Sequence, residues 1–115
     1  MITIEQTSNL LNVAVLGEFT LADFKLFEAQ VLPKLKSTTP LNLMFDLRAM
    51  INYSVDVAWE EIKFFSHEHP HDFNKIAVVT EDQWLTWQAW LSRLFVDADI
   101  RAFTDYKEAH FWVGA

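Results

Sequence analysis

The sequence predicts an α/β fold in which a mostly parallel five-stranded sheet, with one antiparallel edge strand, carries packed helices. Three observations predict it. Short apolar runs rich in β-branched residues alternate with amphipathic stretches of helical length, the pattern of strands joined by helical crossovers. Only Ser8-Asn9 separates the first two extended runs, and parallel strands cannot be joined by so tight a turn. With 115 residues, 51% of them hydrophobic, and only two Gly and three Pro, the chain has the size and composition of one folding unit with a buried core. It is read as a single domain over 1–115.

Met1–Thr7 and Leu10–Gly17 form the opening hairpin. Thr20 is the expected N-cap of a first helix, and Asp23 three residues on completes a short form of the capping box. Phe24, Phe27, Val31 and Leu35 share one face of that helix, which is expected to be buried, and Pro33 is expected to bend its last turn. Leu41–Leu47 is apolar enough for a central strand covered on both faces, with Asp46 marking its carboxyl end and an irregular segment over 48–53. A second helix follows, capped by Ser54 or Asp56 and ended at His69-Pro70, with Trp59, Ile62 and Phe65 on one face and Val57 and Phe64 on another. Lys75–Thr80 is a short strand, and Glu81-Asp82 opens a third helix on which Trp84, Trp87, Leu91, Leu94 and Phe95 share a stripe with Trp90 at its margin. Ile100–Thr104 is the last strand, and Asp105 caps a final turn or two containing Ala109, Phe111, Trp112 and Val113. The expected order is ββαβαβαβα.

Composition removes several function classes. No cysteine is present, which excludes disulfides, thiolate metal sites and a Cys nucleophile. The formal charge of −7, without a basic stripe, disfavours nucleic acid as a partner and weakens attraction to anionic lipid. No apolar run approaches the ~20 residues of a membrane span. The start Met1-Ile2-Thr3-Ile4 lacks the basic and apolar regions of a signal peptide, so a cytoplasmic location, at most peripheral to a membrane, is expected.

The element order resembles the STAS domain, named for sulfate transporters and anti-sigma-factor antagonists, and the local sequence is similar to its bacterial SpoIIAA-like branch. Four segments carry the resemblance: Gly17 to Phe24, Phe27 to Pro33, Phe73 to Trp87, and Arg101 to Trp112. The run Ile76-Ala77-Val78-Val79 followed by Trp84-Leu85-Thr86-Trp87 is its most specific part. In the antagonists a strand ending Asp-Leu precedes an Asp-Ser pair whose serine the partner kinase phosphorylates. Here Asp46-Leu47 is present and Ser54 falls near that turn, but Asn52-Tyr53-Ser54-Val55-Asp56 replaces the Asp-Ser-Ser-Gly context. The overall fold also resembles the lipid-binding lobe of CRAL-TRIO proteins, which implies a hydrophobic ligand or a membrane surface.

Catalytic and metal constellations are weak. His67, Glu68, His69 and His71 offer ligand atoms, but Pro70 interrupts the helix that would set His67 and His71 on one face, and a solvated helix end is the preferred reading. Ser54 has no nucleophile-elbow context, so capping is preferred over nucleophilic or phosphorylation roles. Glu60-Glu61 and Glu81-Asp82 are neighbours that point about 100° apart on a helix and do not form an acid–base pair. Gly17 and Gly114 lie too far apart to make a phosphate cradle, and no cofactor is expected.

What remains is aromatic: Trp59, Phe64 and Phe65 on the second helix, and Trp84, Trp87 and Trp90 on the third. Helically spaced Trp residues usually pack a core, but the off-stripe positions of Val57, Phe64 and Trp90 leave apolar surface unassigned. The reading is a non-enzymatic binding domain whose second and third helices frame a groove for a hydrophobic ligand, a lipid or a membrane interface. The alternative is a regulatory protein-interaction module, working by partner switching or as a homodimer.

Overall fold

The computed structural model describes residues 1–7, 9–37, 41–53, 73–81 and 98–114. Five strands, β1 (Ile2–Thr7), β2 (Leu10–Phe19), β3 (Leu41–Tyr53), β4 (Phe73–Val79) and β5 (Asp99–Phe103), form one sheet in the order β1-β2-β3-β4-β5. Only β1 runs antiparallel to its neighbour; the other three pairings are parallel. The α/β class and the mixed sheet agree with the sequence reading. Helix α1 (Leu21–Ser37) joins β2 to β3, and α2 (Tyr106–Gly114) follows β5. The second and third expected helices lie outside the described residues.

Helix α1 begins where its sequence provides a cap. The Thr20 hydroxyl accepts the Asp23 backbone N–H at 3.3 Å, and the Asp23 carboxylate in return accepts the Thr20 backbone N–H at 3.0 Å. Two donors that a helix start leaves unpaired are thereby satisfied. The same carboxylate receives the Met1 ammonium at 2.9 Å, which ties the helix start to β1. The helix continues through Pro33 to Ser37, beyond the final turn that the proline was expected to bend.

The two faces of the sheet are served by different helices. On one face Leu11, Val13, Val15, Leu43, Phe45, Leu47, Ile76, Val78 and Ile100 join Phe24, Phe27 and Val31 of α1 in the main core. The Phe27 ring lies 5.7 Å from those of Phe24 and Phe45, an aromatic run that fastens α1 to the sheet. Phe27→Ala would cost about 3–5 kcal/mol through the cavity it leaves. On the opposite face Leu10, Met44, Ala77 and Val79 pack with Ala109 and Val113 of α2. Alternate residues of Leu41–Leu47 and Phe73–Val79 serve opposite faces, and most are buried, which is why these strands read as nearly continuous apolar runs.

Two strands run further than expected. The sequence reading ended β3 near Asp46 and left 48–53 irregular, whereas β3 continues to Tyr53 because β2 continues beside it to Phe19. The irregularity lies in the pairing. Leu47 and Arg48 together oppose Val15, and Ile51 is an extra residue between the Gly17–Met50 and Glu18–Asn52 pairs. Both are β-bulges, and the second sits beside Gly17, whose φ of 70° is a left-handed conformation that glycine adopts without a Cβ clash. Beyond Asp46, the last β3 position paired with β4 among the described residues, β2 and β3 continue side by side as a bulged two-stranded arm whose Phe19, Leu47 and Met50 are buried in the main core.

Candidate functional site

The first bulge builds the site. Doubling a residue opposite Val15 takes the Arg48 backbone N–H out of the ladder, and the Asp46 carboxylate accepts it at 3.1 Å. The Arg48 guanidinium donates to both carboxylate oxygens of Asp46, through Nε at 2.9 Å and Nη2 at 2.7 Å. Burial raises the pKa of the Asp46 carboxyl, but the hydrogen bonds from Arg48 and its positive charge outweigh that effect and hold it below the usual carboxylate value. The Arg48 guanidinium is correspondingly more basic, chiefly through its hydrogen bond to Asp46.

Arg48 also reaches across to α2. Its guanidinium carbon lies 5.0 Å from the centroid of the Tyr106 ring, within cation–π range. The Tyr106 hydroxyl accepts the Asn12 side-chain N–H at 2.7 Å, so β2, β3 and the first residue of α2 meet at one point. Around it lie two concavities that share Arg48. One, of about 340 Å3, is floored by Ala14, Leu16, Asp46 and Ala49; the other, of about 560 Å3, lies between Arg48 and Thr104, Asp105, Tyr106 and Lys107. Arg48 is half exposed at their junction, and Ile51, 72% exposed, stands further out on the arm.

The far end of α2 is fixed by a second cluster. Asn42, buried within β3, donates to the Val113 carbonyl at 2.9 Å and accepts the Lys75 backbone N–H at 3.1 Å. The Lys75 ammonium donates to the Trp112 carbonyl at 3.2 Å and lies 5.3 Å from the Trp112 ring centroid, with Arg101 at 5.1 Å from the same centroid and the Phe103 ring at 5.6 Å. These contacts supply partners for carbonyls that a helix C-terminus leaves open.

At the Arg48 centre the polar groups are already engaged with one another. Asp46 is committed to three donors, and the Tyr106 hydroxyl is already an acceptor. No group of three or more His, Cys, Asp or Glu among the described residues is placed to hold a metal ion. Among the described residues the parallel strands follow one another across the sheet in sequence order.

Of the residues singled out from the sequence, Ser54, Val57, Trp59, Phe64, Phe65, Trp84, Trp87 and Trp90 lie outside the described residues, as do His67, Glu68, His69 and His71. The resemblance placed Asp46-Leu47 at the end of its strand; it lies instead inside β3, at the first bulge, and the strand continues to Tyr53. The Arg48, Asn12 and Asn42 contacts were missed. Two signals stood in the sequence: Asp46 and Arg48 are two apart on a strand, and an Asn interrupts each of two apolar strands, where a polar side chain needs a partner.

The model of the SpoIIAA-like family matches residues 10–114. The chain belongs to the SpoIIAA-like family. It is similar in structure to an uncharacterized protein of Shewanella loihica with a SpoIIAA-like fold, at a TM-score of 0.75 and 20% identity, covering 98% of this chain and 92% of that one. It is also similar to an anti-sigma factor antagonist of Mycobacterium paratuberculosis, at a TM-score of 0.60 and 18% identity, covering 100% of this chain and 94% of that one. No curated protein matches the chain. Among the described residues no helix is long and apolar enough to cross a membrane.

Proposed function

We propose that this protein is a non-enzymatic regulatory module that acts by binding a protein partner, and that the bulged β2–β3 arm with Arg48 at its base is part of the contact surface. The observation that carries this reading is the site's construction. The bulge and the Asp46 carboxylate fix Arg48 half exposed between two shallow concavities, one of them floored by Ala14, Leu16 and Ala49, with exposed Ile51 further along the same strand. A fixed guanidinium next to apolar surface is the composition of an interface anchor. Membership of the SpoIIAA-like family and the likeness in fold to an anti-sigma factor antagonist support a partner of the class that such an antagonist engages, an anti-sigma factor.

The test is titration calorimetry of the chain against anti-sigma factors from its own genome. Wild type is expected to bind one of them in a 1:1 complex. Arg48→Glu, which reverses the charge at the anchor, is expected to weaken that complex by at least tenfold. Absence of binding to every such protein, or equal binding by the variant, goes against the reading. A groove for a hydrophobic ligand lined by Val57, Trp59, Phe64, Phe65, Trp84, Trp87 and Trp90 is the rival. Lipid in a denatured extract of the purified chain, detected by mass spectrometry, is the observation that would favour it.

A further inference from the structure

Lys107, His110, Phe111 and Gly114 recur at spacings of three and four along α2, so they form one stripe, and all four are exposed. The helix buries Ala109 and Val113 on its other side. Phe111 is 80% exposed, and next to it Tyr106, Lys107, His110 and Phe111 line a notch of about 360 Å3. One wall of that notch is the Tyr106–His110 pair, stacked with centroids 6.0 Å apart. A protruding aromatic ring and an aromatic notch thus occur on the same stripe. A surface that is its own complement is what a two-fold symmetric contact requires.

Charge points the same way. Lys107 stands in the first turn of α2, at the positive pole of its own helix, where a cation is disfavoured, while the last turn contains no basic residue. Its backbone N–H donates to the Asp105 carboxylate at 2.8 Å, and among the described residues its ammonium makes no hydrogen bond. An antiparallel helix laid along the stripe inverts that mismatch. With Phe111 seated in the opposing notch, Lys107 comes against the other helix's last turn, where the carbonyls make the negative pole. Gly114, with nothing within 4 Å of the position a Cβ would take, leaves room there for the lysine.

We infer that α2 is the contact between two copies of this chain, paired antiparallel about a two-fold axis, with Phe111 of each in the other's notch and Lys107 of each at the other's helix C-terminus. This goes beyond the partner-binding reading, uses a different surface from the Arg48 arm, and is tested with no other protein present. A nine-residue helix is small against the roughly 800 Å2 per partner of a standard interface, so the dimer is weak.

The experiment is sedimentation equilibrium of the full chain over about 1–500 µM, the range a small interface calls for, at 0.15 M salt, where repulsion between two chains of charge −7 is screened. Wild type is expected to shift from monomer to dimer within that range. Phe111→Asp is expected to stay monomeric with an unchanged melting temperature in dilute solution. Lys107→Glu separates association from folding, because an acid in the first turn favours α2 itself while opposing the other helix's C-terminus. It is expected to weaken the dimer about tenfold, the contact occurring twice, while the dilute melting temperature holds or rises. Wild type remaining monomeric at the highest concentration, or either variant dimerising as wild type does, overturns the inference.

Discussion

Arg48 grips Asp46 at three points, two from the guanidinium at 2.7 and 2.9 Å and one from the backbone amide at 3.1 Å. Two residues apart on one strand, they form a closed unit that completes the bulge. The pairing therefore belongs to the fold before it belongs to any interface. Removing either side chain should disturb the arm locally.

Asp46→Ala is expected to lower stability by about 1–2 kcal/mol, since it leaves the bulge amide without its acceptor and the guanidinium without its carboxylate. Urea unfolding at neutral pH measures this. The pH dependence follows from the carboxyl being held below its ordinary value of 3.8 in the folded state. The unfolded chain then binds more protons near and below that value, so the contribution is fully present above about pH 4 to 5 and fades as pH falls through the depressed folded value. The acid limb of the stability curve is expected to flatten in the variant. Asp23, also depressed by the Met1 ammonium and Thr20 against an opposing effect of burial, should leave a residual slope of the same sign.

Asn42→Ala is expected to cost about 2–3 kcal/mol, because the buried side chain is replaced by none and both the Val113 carbonyl and the Lys75 amide lose a partner. Hydrogen exchange should show the loss first in α2, whose C-terminal end Asn42 holds. Uniform loss across the sheet would indicate that Asn42 serves the core instead.

Tyr106→Phe keeps the ring under Arg48 but removes the acceptor for Asn12, and about 0.5–1.5 kcal/mol should go with it. The double variant Asn12→Ala/Tyr106→Phe is expected to lose less than the sum of the single losses, since one hydrogen bond is shared. Additive losses in thermal unfolding would show that the two residues do not act together.

Gly17→Ala places a Cβ at φ 70° with nothing within 4 Å, so sterics with neighbours contribute nothing and the backbone alone sets the penalty. About 1 kcal/mol is expected by denaturant unfolding. A neutral result would mean the bulge relaxes to a conformation open to alanine.

The order of elements could be read because each strand carried its own evidence. The Thr20–Asp23 cap, the buried Phe24, Phe27 and Val31, and the short connection through Ser8 are local features, and local features are what a sequence displays. Leu35, the fourth position of that expected stripe, is not among the described side chains. The continuation of β3 to Tyr53 was not legible, because whether 48–53 is a strand depends on β2 reaching Phe19 beside it. A glycine and a doubled residue look like a break when each strand is read alone. Register, and therefore the bulge that aims Arg48, is a property of two segments far apart in sequence. The Arg48–Tyr106 and Asn12–Tyr106 contacts are longer in range still. The aromatic stripes drew attention because Trp is rare and large, yet the polar contacts that hold α2 to the sheet come from two Asn, one Lys and two Arg side chains, three of them against the Tyr106 and Trp112 rings.

The central claim, a protein partner engaged through the Arg48 arm, is tested most directly by native mass spectrometry of the chain co-expressed with each anti-sigma factor of its genome. The account predicts a 1:1 complex for one of them, free of any small-molecule adduct, that disappears with Arg48→Glu while the variant stays folded, its melting temperature lowered only by the loss of the Asp46 pairing. A chain that carries an acyl-chain adduct and forms no protein complex would contradict it.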